Sequence, residues 1–575
     1  MFRLFKFTKP YTPMIIFVLI FVFLQTLGDL YLPTLMSDII NKGVMQGDNG
    51  KIVQIGGFML LVAGGGALCA IIASYLSSKV AVGLGTILRS KVFERVESYS
   101  LHEVDKFGTA TLITRSTNDI NQVQMVLIMI LRMMISAPMM AIGGIIMALR
   151  EDKSLTWVLA IAIPVLAGVI ALIASRMIPL FRRIQGKIDR INLVLREKLV
   201  GIRVIRAFNT VEHEAKRFEE ANVDLTENYI KVNKIMAFMM PCIMLVMNFT
   251  SLAVLWFGGI FISKGSMDLG ALSAFTQYAM QIMFSMLMLS LMFIMVPRAQ
   301  AAAVRINEVL ETLPGITDNE NIKNTFSMKG FVEFKGVTFT YQGAEQPALR
   351  DISFSAQPGE VTAIIGSTGS GKSTLINLIP RFYDVDSGNI LIDGVDVREM
   401  SQETLRAKIG FVPQKAVLFS GTISENIRFG NTQVSDDDIR HAADVAQATE
   451  FIETVDGGFE HEIAQGGTNV SGGQKQRLSI ARALVRKPEV YVFDDSFSAL
   501  DFKTDARLRA ALKHEIAEAT VIIVAQRVGT VRDADRIIVL NEGKISGIGT
   551  HKELLETNQV YQEIVSSQLS EEEIA

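Results

Sequence analysis

The sequence predicts an all-α transmembrane domain of six long helices with cytoplasmic extensions, followed by a soluble α/β P-loop domain with an antiparallel β subdomain at its start. Three observations carry this reading. Nearly all long apolar runs of the 575-residue chain lie before about residue 300, although mean hydropathy over the whole is only +0.32. The glycine-rich turn Gly366 to Thr374 directly follows the apolar run Val361 to Ile365. Before it, Val332 to Tyr341 and Leu349 to Ser355 alternate apolar and polar residues, as strands covered on one face do.

A chain this long exceeds one ordinary core. The composition shift places the membrane domain at 1–312, a polar, breaker-rich linker at 313–329 and the soluble domain at 330–575. Net charge is −3, which gives no global sign of nucleic-acid binding. Cys69 and Cys242 both fall in apolar runs, where packing is the expected role, and no metal-ligand spacing surrounds either.

The first span, from Met14 to Leu27 and extendable toward Leu35, is too long for a signal h-region and is read as a retained helix. Further spans fit Ile55 to Tyr75, Met125 to Leu149, Leu155 to Ile173, Ile235 to Phe261 and Leu269 to Val296. Arg3, Lys6 and Lys9 precede the first span, and Arg176, Arg182, Arg183, Lys187, Arg190 and Arg196 follow the fourth, so the faces after even-numbered spans are expected in the cytoplasm. The long stretches Ser77 to Gln124 and Arg176 to Lys234 carry few breakers and should continue the helices beyond the bilayer. They are interrupted by Phe107 to Asp119 and Phe208 to Glu214, small and polar runs expected at cytoplasmic hairpin tips.

Arg132 sits inside an apolar run and must face a cavity, another helix or, by snorkelling, the interface; a substrate-pathway role and snorkelling both fit. Asp29, Asn248, Gln277 and Gln281 are weaker candidates of the same kind. The chain holds 27 methionines, with runs from Met236 to Met247 and from Met280 to Met295. Flexible thioethers suit a cavity for varied apolar ligands, and they suit ordinary helix packing equally well.

In the soluble half, Gly366, Ser367, Thr368, Gly369, Ser370, Gly371, Lys372, Ser373 and Thr374 follow the spacing G-x-x-x-x-G-K-S. Such a turn converges backbone N–H groups on a phosphate, Lys372 adds a point charge and Ser373 is placed to ligate Mg²⁺. The apolar strand Val490 to Phe493 delivers Asp494 to its carboxyl end, where it can hold Mg²⁺ beside Ser373, and Asp495 follows at the position for orienting an attacking water. Between them, Ser471, Gly472 and Gly473 open a helix and so form a second anion site. Two separated phosphate sites in one chain suggest two chains sandwiching ATP.

The phosphate loop, Val470-Ser-Gly-Gly-Gln474, the Asp494 strand and the six membrane helices together resemble the ATP-binding cassette exporters. The resemblance implies that Tyr341 stacks on adenine, that Gln414 in Val412-Pro-Gln414 senses Mg²⁺ and the membrane helices, and that Ser498 to Asp501 lines a dimer interface. It implies ATP and Mg²⁺ as ligands, with Ser373, Gln414 and Asp494 on the metal. It also implies head-to-tail dimers in which Ser471, Gly472, Gly473 and Gln474 complete the partner's site, and hairpin tips that transmit closure.

Departures narrow the resemblance. Asp495 stands where the family has glutamate, Gln526 where it has the switch histidine, and Gln465 where glutamate is common. This pattern resembles the degenerate-site subunit of a heterodimeric multidrug exporter in the plasma membrane, a bacterial inner membrane being the expected one, with its soluble domain cytoplasmic. The expected partners are a second half-transporter, membrane lipid and small hydrophobic or amphipathic compounds, with no nucleic acid. A lipid or peptide exporter on the same architecture, and a nucleotide-gated channel or regulatory subunit, are the alternatives.

Overall fold

In the computed structural model, which describes Met1, residues 3–319, Ile322 and residues 329–568, the chain divides into two compact units. The first comprises Met1–Glu97 and Gly108–Thr312, the second Ser98–Phe107 and Leu313–Ala575. Part of the linker expected at 313–329 lies outside the described residues.

The membrane unit contains α1 (Thr12–Asp38) and α2 (Asn49–Glu97), and, after the segment α3 (Leu101–Phe107) that belongs to the second unit, α4 (Thr109–Ser116) and α5 (Asn118–Glu151). Next come α6 (Thr156–Val200), the short α7 (Ile202–Ala207), α8 (Val211–Ser263) and α9 (Leu269–Glu311). Six helices among the described residues are long and apolar enough to cross a membrane, the first running from Leu4 to Val44. At 41 to 53 residues each, they exceed the roughly 20 that a bilayer requires, so each carries a long extramembrane extension. α1 packs along α2, α5 along α9 and α6 along α8. Leu30, Leu155, Val254, Phe275 and Tyr278 form one buried cluster, and Met177, Ile184 and Val232 another between α6 and α8.

In the second unit the chain runs β1 (Val332–Phe339), β2 (Leu349–Ala356), β3 (Val361–Gly366), α10 (Lys372–Leu378), β4 (Ser387–Ile392), β5 (Val395–Asp396), α11 (Gln402–Ala407) and β6 (Ile409–Val412). A helical region follows: the small strand β7 (Gly421–Thr422), α12 (Ile423–Arg428), α13 (Asp436–Val445), α14 (Thr449–Thr454), β8 (Glu462–Ile463) and α15 (Gly472–Leu484). The chain then continues through β9 (Val490–Asp494), α16 (Phe502–Glu515), β10 (Thr520–Val524), α17 (Val528–Val531), β11 (Arg536–Asn541), β12 (Lys544–Gly549), α18 (His551–Thr557) and α19 (Gln559–Ser566).

These strands form an antiparallel sheet ordered β2-β1-β4-β5, a mainly parallel sheet ordered β12-β11-β3-β10-β9-β6 and the separate antiparallel pair β7-β8. Period-two alternation splits the core. Tyr491 and Phe493 of β9 join the cluster under the helical region, whereas Val490 and Val492 join the cluster shared with the antiparallel sheet. The parallel order brings the carboxyl ends of β3, β10, β9 and β6 to one edge, where α/β sheets of this kind bind ligands.

Candidate nucleotide-binding site

Each strand at that edge delivers one of the expected groups. The loop Gly366–Gly371 leaves β3, Asp494 and Asp495 end β9, Gln526 follows β10 and Gln414 follows β6. Register fixes their depth, since Val524 of β10 pairs with both Asp494 of β9 and Ile364 of β3.

The loop needs its glycines. Gly369 and Gly371 hold φ of +83° and +98°, and a Cβ on Gly366 would lie 2.2 Å from the Leu540 carbonyl oxygen. Lys372 is buried, and its Nζ donates to the carbonyl oxygens of Gly366 (2.7 Å) and Ser367 (2.8 Å). Burial pulls its ammonium below the ordinary lysine value, while Asp495 and Asp494 oppose that shift. The hydroxyl of Ser370 is buried without a partner among the described residues. A loop that folds its own cation back onto carbonyls and leaves a hydroxyl unmatched is built to exchange these contacts for a phosphate.

Ser373 Oγ donates to Asp494 Oδ1 at 3.2 Å, which joins the expected Mg²⁺ ligands of α10 and β9. Burial raises the Asp494 carboxyl, with the Ser373 hydrogen bond opposing, Asp495 adding to the rise and Lys372 opposing. A buried carboxylate facing a serine hydroxyl and a lysine fits a divalent cation, so Ser373, Asp494 and the nearby Gln414 are the residues that would hold Mg²⁺, which would neutralise phosphate charge there.

Asp495 is half-buried, has φ +46° and donates its N–H to the Val524 carbonyl at 2.9 Å, so β10 fixes its backbone. Gln414 Nε2 donates to its Oδ2 at 3.2 Å. Gln526 is exposed at the end of β10. Tyr341 lies just past β1, edge-on to Phe339 and Tyr383, with its hydroxyl 3.1 Å from Thr374 Oγ1. It therefore flanks the loop, with its ring partly open to solvent.

Ser471 caps α15 in a reciprocal box. Its N–H donates to Gln474 Oε1 (2.8 Å) and its Oγ accepts from the Gln474 N–H (3.3 Å). The first-turn N–H groups of Gly472 and Gly473 remain at the helix mouth. Among the described residues, no hydrogen bond or ion pair connects 471–474 to 366–374, so one chain presents the two anion sites separately.

Residues 15–286 match the ABC transporter transmembrane region and residues 349–498 the ABC transporter domain. The chain is 45% identical over 564 residues to an uncharacterized ABC transporter ATP-binding protein of Mycobacterium tuberculosis, covering 97% of each. The chain belongs to the ABC transporter family. An ATP-dependent lipid A-core flippase of Syntrophus aciditrophicus is 29% identical over 577 residues, covering 100% of this chain and 95% of the flippase. The solved structure of a bacterial Atm1-family ABC exporter with ATP bound superposes with a TM-score of 0.81 at 24% identity, over 97% of this chain and 99% of that one. The protein is thus an ABC half-transporter with the fold of an exporter, a membrane protein whose ATP-hydrolysing, nucleotide-binding domain is cytoplasmic.

In this ABC half-transporter the first hairpin segment differs in detail from the sequence reading. Ser98–Phe107, just upstream of the expected Phe107–Asp119 tip, groups with the nucleotide-binding unit. Within that unit Glu103 accepts from the N–H and hydroxyl of Ser100, at 2.8 and 2.6 Å, and from the Gly315 N–H, and these bonds hold its carboxyl below the ordinary glutamate value despite burial. The expected segment is instead tied down inside the membrane unit. Arg115 pairs with Glu308 at 2.8 Å and Arg305 forks onto Asp119 at 2.7 and 2.5 Å. The second interruption falls within the expected Phe208–Glu214, where the chain breaks at Phe208–Thr210 between α7 and α8. Ser100-x-x-Glu103, a capping-box spacing, was the readable signal for the first.

Sequence reasoning missed Gln568 altogether. Its side-chain amide brackets the switch turn, donating to the Gln526 carbonyl at 2.8 Å and accepting from the Val528 N–H at 2.9 Å. Arg132 donates to Ser74 Oγ of α2 at 3.2 Å, so it faces another helix.

Proposed function

We propose that this chain is the degenerate-site half of a heterodimeric exporter of hydrophobic or amphipathic compounds. In this reading 1–312 forms the pathway, 313–329 the linker and 330–575 the ATP domain. The observation that carries it is the pair Asp495 and Gln526 at the ends of adjacent strands β9 and β10. Aspartate is one methylene short of a glutamate that would reach the attacking water, and a glutamine amide carries no positive charge to the γ-phosphate.

ATP bound by Gly366–Thr374 with Mg²⁺ at Ser373, Gln414 and Asp494, and with Tyr341 against adenine, then acts chiefly to hold the dimer closed. The intact cap Ser471–Gln474 completes the competent site on the partner, where most hydrolysis occurs. The test is ATP turnover of this chain alone and co-expressed with the half-transporter from a neighbouring reading frame. Strong activation on pairing is expected. Equal turnover per site in the chain alone overturns the reading.

The lipid A-core flippase among the relatives favours one second reading, lipid as cargo. ATP-driven flip of a headgroup-labelled phospholipid, without transport of amphipathic dyes, would establish it.

A further inference from the structure

Helices α1, α5 and α9 line an open-sided cavity of about 470 Å³ in the membrane unit, a volume suited to a drug-sized ligand. Each helix contributes one face at helical spacing: Gln25 and Asp29 from α1, Met133 and Met140 from α5, Gln281 and Phe284 from α9. Met280 and Met288 add further thioethers, so the wall is soft, polarizable and aromatic.

The polar groups are not balanced. Thr26, Ser136 and Ser285 also line the cavity, and the hydroxyls of Thr26 and Ser285 already donate to the carbonyls of Val22 (2.8 Å) and Ile282 (2.7 Å). Gln281 Nε2 donates to the Asp29 carbonyl at 3.1 Å, which fixes the amide's orientation because a carbonyl oxygen only accepts. That leaves Gln281 Oε1 buried with no partner among the described residues. Asp29 has the Gln25 amide as a hydrogen-bond partner and, among the described residues, no ion pair. None of the residues lining the cavity is basic. The site therefore offers the oxygens of Asp29 and Gln281 as acceptors, and a carboxylate at membrane depth is costly until a cation meets it.

We propose that this cavity binds an organic monocation with a broad apolar body, its charged centre against Asp29 and Gln281 and its body among the thioethers and the face of Phe284. Anionic amphiphiles, including fatty-acid carboxylates and lipid phosphates, are disfavoured by the same carboxylate. The proposal rests on the exporter reading and names its substrate class.

The test uses the full-length chain in nanodiscs of zwitterionic phospholipid. Binding of rhodamine 6G, a permanent cation, is compared with that of Nile red, a neutral dye, by fluorescence polarisation without ATP. Asp29→Asn should weaken rhodamine 6G about tenfold and Nile red by less than about twofold. Met140→Trp, which fills the cavity, should weaken both. Unchanged rhodamine 6G binding in Asp29→Asn, or equal weakening of both dyes, overturns the proposal. Should Asp29→Asn fail to fold, Gln281→Leu carries the same comparison, with selective loss of the cation expected and no selectivity overturning it. Because the dye comparison is made without ATP, a failure of ATP-driven transport would sink the exporter reading separately.

Discussion

Gln414 Nε2 lies 3.2 Å from Asp495 Oδ2, so the residue following β6 and the residue following β9 hold each other across the ligand edge of the sheet. The short carboxylate is engaged by a neutral amide from its own chain. With Gln526 just past the end of β10, an amide rather than an imidazole occupies the position beside it.

Lengthening that carboxylate alone should accomplish little. Asp495→Glu is expected to raise ATP turnover of the purified chain by no more than about threefold, well short of the 10² or more that a well-placed general base supplies. A rise of about a hundredfold, measured by phosphate release, would refute the asymmetric assignment.

Ser471→Arg places a long cation where Ser471 and Gln474 close their box. In the paired complex it should remove nearly all ATPase activity if the cap, as proposed, serves the partner's nucleotide. In the chain alone it should leave ATP affinity at the Lys372 loop within about twofold, since the two anion sites are separate. Unchanged turnover of the complex would contradict the assignment in trans.

Gln568 acts on the switch turn through two backbone hydrogen bonds. Gln568→Ala should speed amide exchange at Val528, consistent with the loss of a bond worth about 1 kcal/mol. Release of ATP analogue from the closed complex should quicken in parallel. Unaltered exchange at Val528 would show that the bracket does not hold the turn.

The pH dependence follows from Asp494, whose carboxyl burial raises above its ordinary 3.8. Just above that value the native domain retains a proton that the unfolded chain has released, so this group makes stability fall as pH rises. Mg²⁺ competes with the same proton. Stabilisation by Mg²⁺ and ATP should therefore grow as pH rises through that range, and Asp494→Asn should flatten both slopes. Thermal unfolding at stepped pH, with and without Mg²⁺ and ATP, measures both, and a Mg²⁺ effect independent of pH would rule out Asp494 as the competing ligand.

The spans were readable because twenty apolar residues in succession have few soluble explanations, and the loop at Gly366 because its spacing serves one chemistry. The first hairpin tip was read one element late. Polar runs such as Thr109–Asp119 look like solvated turns, yet Arg115 and Asp119 are polar in order to bind α9 partners some 190 residues away, which local pattern cannot reveal. Gln568 was invisible for the same reason, being an ordinary glutamine at the end of a helix whose meaning lies in a turn 42 residues earlier. Asp29 and Gln281 were readable as unusual. That Gln281 Oε1 is left without a partner among the described residues required knowing where its amide nitrogen already donates.

The backbone of Asp495 sits at φ +46°, a left-handed conformation that aspartate and asparagine enter more readily than longer side chains, since their short polar groups can bond locally. A chain released from the need to hydrolyse at its own site can settle on aspartate there with the turn intact, and returning to glutamate would gain no conformational ease. Under the proposed degenerate-site assignment, the geometry of this one residue would work as a ratchet, holding the subunit in its dependence on a partner once that dependence had begun.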